Sequence, residues 1–200
     1  QGALVMHNHP GWRRKSLDHP EFEVAAYGEG LIDGIEIMNG GEFYPKAIAR
    51  AHEKNLFVAA NTDIHDSATE TYRAQGHRRN MTLIFATENT LPALREAIEA
   101  RRTLAYSFGT LAGDEQLLKD LFTASVGIRT LRTDAHGRRT VALTNRTSVQ
   151  YVLCVPGQNP FILKPFSTVT MNVAKDAPLR LSVENMWCSE QDHPLVEIAL

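Results

Sequence analysis

The spacing of apolar residues changes once along this chain, and the change limits the folds open to it. Up to about residue 124, apolar stretches of strand length alternate with segments of helical spacing, with strands at 32–38 and 56–62 and helices at 44–55 and 90–102. Such alternation predicts a parallel sheet or a β/α barrel. The first part of the chain is therefore predicted to be α/β.

After residue 125 the helical spacing ends. Short apolar stretches bounded by Pro, Gly or Asn follow closely, as in VQYVLCVPG, PFILKP and LRLSVENMW. Closely spaced short strands with turn residues between them are typical of a β-sandwich. We predict two domains, a β/α domain over 1–124 and a small immunoglobulin-like sandwich over 125–200.

Composition narrows the function classes. The formal net charge of −2 gives no indication of a nucleic-acid or anionic-membrane partner. No apolar run approaches the ~20 residues that span a bilayer. The two cysteines, Cys154 and Cys188, favour buried thiols over a disulfide.

Polar side chains follow two of the predicted strands at the point where each ends. The strand ALVMH ends at His7 and is followed by His9, and the strand LFVAANT is followed by Asp63 and His65. Ligands bind at the carboxyl ends of parallel strands. Alternate residues of a strand point to one side, so each pair is expected to share a side. Imidazole and carboxylate donors suit Zn, Mn or Fe.

A carboxylate lies between these clusters in the sequence. Glu36 is inside the apolar stretch GIEIM, where an unpaired carboxylate would be costly. Each feature alone has a simpler explanation, because His-X-His and Asp-X-His occur in turns and Glu36 can be a structural ion-pair partner. Their joint occurrence at two strand ends favours a metal or phosphate site.

Three segments resemble, in the same order, the later motifs of the PHP (polymerase and histidinol phosphatase) family of metal-dependent phosphoesterases. They are HNHPGW, DGIEIMNG and NTDIHD. The matching residues are His9-Pro10, Gly34-Ile35-Glu36 and Thr62-Asp63-Ile64-His65. The stretch RRNMTLIFATENTLPALREAIEARRTLAYS resembles the closing strand, helix and tail of the family. The all-β remainder resembles the C-terminal domain of a bacterial phosphodiesterase branch, so the resemblance spans nearly the whole chain.

This resemblance implies the C-terminal part of a distorted seven-stranded β/α barrel that binds two or three divalent ions, Zn, Mn or Fe, when complete. It implies phosphoester hydrolysis, with phosphodiesters favoured, by attack of a metal-bound hydroxide on phosphorus. His9, Asp63 and His65 match metal-ligand positions, and Asp63 and His65 are the candidate catalytic residues. Glu36 is expected to orient a ligand rather than to be one.

The chain departs from the family at its beginning. The opening His-X-His-Thr and Ser-Asp-Gly motifs, an intermediate His and a bridging Glu are absent from the sequence. We therefore expect only part of a site, inactive alone, with the missing N-terminal half or another chain covering the edge of the 3–7 strand. His7, Trp12, Arg78 and Arg79 are candidates for contact with a small phosphorylated substrate.

Two other function classes stay open. The chain is a non-catalytic binding module if the sandwich recognises a partner or a carbohydrate, although its aromatic residues are scattered over different strands. It is an amidohydrolase-type hydrolase acting on a carbon centre if a barrel strand carries an activated lysine. The candidates Lys46 and Lys54 both lie in a predicted helix.

Overall fold

The computed structural model describes residues 2–13, 20–74, 76 and 79–200, without the side chains at 71 and 72. It divides into two compact units, Gln1–Asp114 with Trp187–Asp192 and Glu115–Met186 with His193–Leu200. The division thus falls at Asp114, whereas the sequence pattern predicts it near residue 125.

The elements of the first unit follow the predicted alternation with shorter bounds. They are β1 (Met6–His7), α1 (Glu21–Gly28), β2 (Gly34–Asn39), β3 (Glu42–Phe43), α2 (Lys46–Lys54), β4 (Phe57–Asn61), α3 (Ala68–Ala74), β5 (Met81–Ile84), α4 (Leu91–Glu99), β6 (Thr103–Ser107) and β7 (Thr110–Gly113). The α/β class is therefore confirmed for this unit.

The second unit begins with a helix and continues as strands. Its elements are α5 (Glu115–Ser125), β8 (Val126–Thr133), β9 (Arg139–Asn145), β10 (Tyr151–Cys154), β11 (Phe161–Leu163), β12 (Thr168–Val173), β13 (Leu179–Val183), β14 (Met186–Trp187, whose Trp187 belongs to the first unit) and β15 (Leu195–Ile198). The predicted all-β character after residue 125 is confirmed.

Strands β1, β2 and β4 form a parallel arrangement with β2 in the middle. Gly34 of β2 is in register with Met6 on one side and with Phe57 on the other. Every residue of β2 is buried, as expected for a strand covered on both faces. The carboxyl ends of the three strands consequently lie at the same edge of the sheet.

The parallel arrangement does not continue into β5, and the prediction of parallel strands is wrong there. β5, β6 and β7 pair antiparallel in a sheet of order β14-β7-β6-β5. Backbone N–H groups of Val58 and Ala60 in β4 donate instead to the hydroxyls of Thr103 and Thr82, each at 3.0 Å. These hydroxyl acceptors satisfy the two backbone N–H groups at the edge of β4, where no further strand is paired. None of the sheets formed by the described residues is closed.

Gly34 has no room for a side chain. The Phe57 ring lies against it, and a Cβ built on Gly34 would be 2.2 Å from Phe57 Cζ. We expect Gly34→Ala to lower the free energy of unfolding by about 1–3 kcal/mol, because the buried ring must shift in a close-packed core. Urea denaturation measures this. The control is Gly41→Ala, where a Cβ meets no atom within 4 Å; equal stability of the two variants would contradict the packing argument.

The second unit contains two antiparallel sheets, of order β11-β10-β13-β15 and β12-β9-β8. Both sheets supply fully buried side chains, among them Leu143 of β9 and Leu153 of β10. Helix α5 buries Phe122, whose ring meets the Tyr151 ring edge-on with centroids 5.2 Å apart. This contact explains why α5 belongs to the second unit. The immunoglobulin-like outline stays a prediction.

Two further expectations concern features outside the site. Cys154 and Cys188 are both free thiols, but only Cys188 is buried as predicted, and Cys154 is partly exposed. Among the described residues, no helix has both the length and the apolar character needed to cross a membrane.

Candidate functional site

A pocket of about 370 Å³ opens where the carboxyl ends of β1, β2 and β4 meet. Its lining residues are His9, Trp12, Asn39, Gly40, Gly41, Glu42, Asp63 and His65. The structure thus brings together the three predicted metal ligands and Trp12. It does so because parallel strands direct their following loops to one edge of a sheet.

A tight turn places His9 and Trp12 on this pocket. The Trp12 N–H donates to the His9 carbonyl at 3.0 Å, across Pro10 and Gly11. A Cβ on Gly11 would be 2.6 Å from Tyr44 Cδ1, so only glycine lets the turn approach that ring. Trp12 is 52% exposed, with the Arg13 guanidinium 4.4 Å from its ring centroid. Its contact with substrate stays a prediction.

His9 and Asp63 share an uncommon backbone conformation. Their φ angles are 51° and 52°, in the left-handed region that few non-glycine residues adopt. Each residue comes soon after the last paired residue of its strand, β1 or β4. Such conformations concentrate at binding and catalytic sites, where surrounding structure holds them.

Glu36 is completely buried and holds His9 in place. Its Oε2 accepts the His9 backbone N–H at 2.6 Å and lies 2.6 Å from His9 Nδ1, while Oε1 accepts from Asn61 Nδ2 at 2.6 Å. A proton on Nδ1 that donates to this carboxylate leaves the Nε2 lone pair of His9 free. A carboxylate that fixes the second nitrogen of a metal-binding histidine is a common arrangement.

Asp63 stands between the two imidazoles. Its Oδ1 is 3.9 Å from His9 Nε2 and 3.4 Å from His65 Nε2. Two atoms bound to one Zn²⁺ at about 2.0–2.2 Å lie at most about 4.4 Å apart, so each pair fits a shared ion. No group of three or more His, Cys, Asp or Glu side chains in the described part of the chain is arranged to hold a metal ion. The distances therefore fit a metal ion held by two side chains at a time, His9 with Asp63 or His65 with Asp63.

Exposure differs among these three side chains. His9 is 34% exposed, Asp63 45% and His65 82%. His65 has few contacts that fix its direction, so Asp63 and His9 are the better-positioned pair.

Asn39, at the end of β2, is a site residue that the sequence analysis missed. It is 5% exposed, its Nδ2 is in hydrogen-bond contact with His9 Nδ1, and its Oδ1 is buried without a partner among the described residues. A protonated Nδ1 can only donate, so the amide atom that faces it must be the oxygen. Because the oxygen and nitrogen of an amide are assigned from such contacts, the flipped amide keeps Asn39 against the His9 ring. Asn39 therefore helps Glu36 to limit the movement of His9.

Asn80 is the second residue that was missed. Its Nδ2 donates to the carbonyls of Gly40 at 2.9 Å and Asn61 at 2.7 Å, and its Oδ1 accepts from Ser107 Oγ at 2.6 Å. One buried amide thus ties the ends of β2 and β4 to β6. In the sequence it is only a polar residue before a strand, so no local signal identifies it.

His7 does not line the pocket, and the expectation that it shares a side with His9 is wrong. Its Nδ1 is 2.6 Å from the Tyr27 hydroxyl and its Nε2 is 3.8 Å from Glu23 Oε1, both in α1. Strand β1 ends at His7, and the left-handed backbone of His9 breaks the alternation. Burial, and then the charge of Glu23, raises the pKa of Tyr27, so its hydroxyl keeps its proton, and the tautomer of His7 decides which of the two groups donates.

The two predicted arginines give no support to the site. Arg78 lies outside the described residues. Arg79 is exposed and is not among the residues that line the pocket. Their contact with substrate stays a prediction, as does that of His7.

No family model and no curated protein sequence matches the chain. A solved structure does match, with a TM-score of 0.90 and 29% sequence identity: a two-domain protein "containing predicted PHP-like metal-dependent phosphoesterase" from Bacteroides vulgatus ATCC 8482. The match covers 100% of this chain and 63% of that one. The resemblance found in the motifs is thus confirmed as similarity to a protein that contains a PHP-like domain. This chain corresponds to 63% of the length of that protein.

Proposed function

We propose that this chain carries part of the active site of a metal-dependent phosphoester hydrolase, with phosphodiesters as its favoured substrates. One observation carries the proposal: buried Glu36 fixes His9 so that its Nε2 faces Asp63 Oδ1 at the carboxyl ends of parallel strands. The similarity to a PHP-like metal-dependent phosphoesterase supports the same reaction class.

His9 Nε2 with Asp63 Oδ1, and His65 Nε2 with Asp63 Oδ1, are the two pairs of atoms that would each contribute to holding Zn, Mn or Fe. A bound divalent ion would supply Lewis acidity, which activates water and stabilises charge on phosphoryl oxygens. Glu36 keeps His9 in the ligating tautomer, and Asn39 restricts the ring. Trp12 gives the pocket an apolar wall against which the organic part of a phosphoester can lie.

The described ligands are too few for two or three ions, which supports the view that further polypeptide completes the site. Strand β1 lies at a sheet edge, and an edge strand presents backbone groups with which another chain segment can pair. Several large apolar side chains of β1, α1 and their flanking segments are exposed: Val5 (49%), Phe22 (70%), Val24 (58%) and Leu31 (56%). We propose that a further segment, from the same protein or another chain, packs here to give a PHP-type barrel.

The test uses the protein produced from its whole gene and supplied with Zn²⁺ or Mn²⁺. Bis(p-nitrophenyl) phosphate, p-nitrophenyl phosphate and p-nitrophenyl acetate are offered separately, with and without a chelator. We expect chelator-sensitive hydrolysis of the phosphodiester above the other two. Hydrolysis of the carbon ester alone would indicate an amidohydrolase-type enzyme, and metal binding without any turnover would indicate a binding module; either result contradicts the proposal.

Residues 1–200 produced alone should bind less metal than the product of the whole gene and hydrolyse the phosphodiester slowly, because His9, Asp63 and His65 come from only two strand ends. Metal content after gel filtration and turnover of bis(p-nitrophenyl) phosphate measure this. A monomer with a full multinuclear metal complement and rapid turnover would contradict it, and would show that this chain forms a complete, smaller site.

A further inference from the structure

A second hollow, of about 350 Å³, lies on the open face of the sheet β12-β9-β8 in the second unit. The strand register places Gly127 beside Thr144 and Thr168, and Arg129 beside Ala142 and Thr170. Cross-strand neighbours in register share one face of a sheet. Gly127 and Ala142, which have the smallest side chains, therefore form the bottom of the hollow. Its sides are formed by longer side chains, those of Arg129, Thr144, Arg146, Thr168 and Thr170.

The guanidinium of Arg146 occupies space that Gly127 leaves open. A Cβ built on Gly127 would lie 2.4 Å from Arg146 Nη2 and 2.9 Å from its Cζ. The Arg146 backbone N–H donates to the Ser125 carbonyl at 3.0 Å, which fixes the start of this side chain. The absence of a side chain at Gly127 is thus what allows Arg146 to lie over the hollow.

The charges of Arg129 and Arg146 are not balanced locally. Neither takes part in any ion pair among the described residues, and no Asp or Glu lines the hollow. Arg180, on the other sheet, is by contrast paired with Glu197 at 2.8 Å. Two unpaired guanidiniums in one hollow attract an anion, even though the chain as a whole has a net charge of −2.

The other polar groups of the hollow are hydroxyls. Thr144 and Thr168 share one hydrogen bond of 3.0 Å, so one of their two hydroxyl protons is left for a ligand. Thr170 adds a third hydroxyl to the lining. The hollow thus offers two guanidinium forks and hydroxyl protons to a ligand that accepts many hydrogen bonds.

We propose that this hollow binds the phosphate group of a small ligand. Arginine forks match the oxygens of phosphate, and a phosphate accepts hydrogen bonds in more directions than a carboxylate does. The site lies in the second unit and shares no residue with the His9 pocket. It does not depend on the function proposed above.

The experiment titrates inorganic phosphate into the protein produced from its whole gene, at constant ionic strength, and follows the arginine side-chain Nε–H signals by NMR. Saturable shifts are expected for Arg129 and Arg146 but not for Arg180. Arg129→Gln and Arg146→Gln should each weaken binding at least about 10-fold, since a hydrogen bond to a charged group is lost. Arg180→Gln should bind phosphate like the unaltered chain.

Gly127→Val is an independent test of the same site. The valine side chain would displace the Arg146 guanidinium, so this variant should bind phosphate more weakly. Acetate, titrated in the same way, should bind more weakly than phosphate. The proposal is overturned by shifts that do not saturate, by an equal loss in Arg180→Gln, or by acetate binding as tightly as phosphate. If Gly127→Val does not fold, the two exposed arginine variants decide the matter.

Discussion

Replacing Asp63 by Asn should remove most of the bound metal and most phosphoesterase activity while leaving the fold intact. Asp63 Oδ1 is the atom that faces both imidazoles, at 3.9 Å from His9 Nε2 and 3.4 Å from His65 Nε2. An amide keeps the shape of the side chain but loses its charge and most of its strength as a ligand. Metal affinity should fall by more than about 100-fold, because loss of a group that merely supports a ligand already costs about 10–100-fold.

Asn is the right replacement for two reasons. Asp63 has a φ of 52°, and Asn tolerates the left-handed region as well as Asp does, so the backbone is not strained further. The side chain is 45% exposed, and exposed substitutions usually change the free energy of unfolding by no more than about 0.5 kcal/mol. A loss of activity can then be assigned to the site rather than to unfolding.

Bound metal is measured by elemental analysis and turnover with an activated phosphodiester, in the protein produced from its whole gene. His136→Ala is the control, because this histidine is exposed in the turn between β8 and β9. We expect no change in that variant. Unchanged turnover in metal-saturated Asp63→Asn would rule out Asp63 as a ligand.

The position of the site was predictable because it follows from periodicity. Buried strands such as β2 and β4 read as near-continuous apolar stretches, and the polar residues after them must emerge at one edge. His9, Asp63 and His65 could be placed together on that basis. Glu36 could be recognised because a carboxylate inside an apolar strand needs partners.

The asparagines could not be found in this way. Asn80 bonds to carbonyls that lie 40 and 19 residues away in the sequence, and such contacts exist only after the strands have assembled. Asn39 ends β2 and reads as an ordinary turn residue before Gly40 and Gly41. A polar residue at a strand end gives no sign of whether it faces solvent or a histidine.

The errors have a common physical cause, since local spacing indicates a strand but not its partners. β5 and β6 have the apolar character of strands, and only the assembled sheet shows that they run antiparallel. Strand alternation places His7 on the side of His9 only if the strand continues to His9, but the strand ends at His7 itself. Alternation holds only while the backbone stays extended.

Glu36→Gln should lower metal affinity by about 10–100-fold without changing any metal ligand. The three groups that contact the Glu36 carboxylate are the His9 backbone N–H, His9 Nδ1 and Asn61 Nδ2. A carboxylate accepts at both oxygens, whereas Gln accepts at one end and donates at the other, so it cannot serve all three groups in their present orientation. Because Glu36 is completely buried, the free energy of unfolding should also fall, by about 1–3 kcal/mol.

The control for this variant is Glu42→Gln. Glu42 lines the same pocket, but it is exposed and its hydrogen bond is with the Tyr44 hydroxyl rather than with a candidate ligand. Metal titration by calorimetry and urea denaturation, run on both variants, separate the effect of losing one acidic charge near the pocket from the effect of releasing His9. If Glu36→Gln binds Zn²⁺ or Mn²⁺ as tightly as Glu42→Gln does, then Glu36 has only a structural role. His9 would then not depend on Glu36 for its ligating orientation, and the observation that carries the proposed function would lose its force.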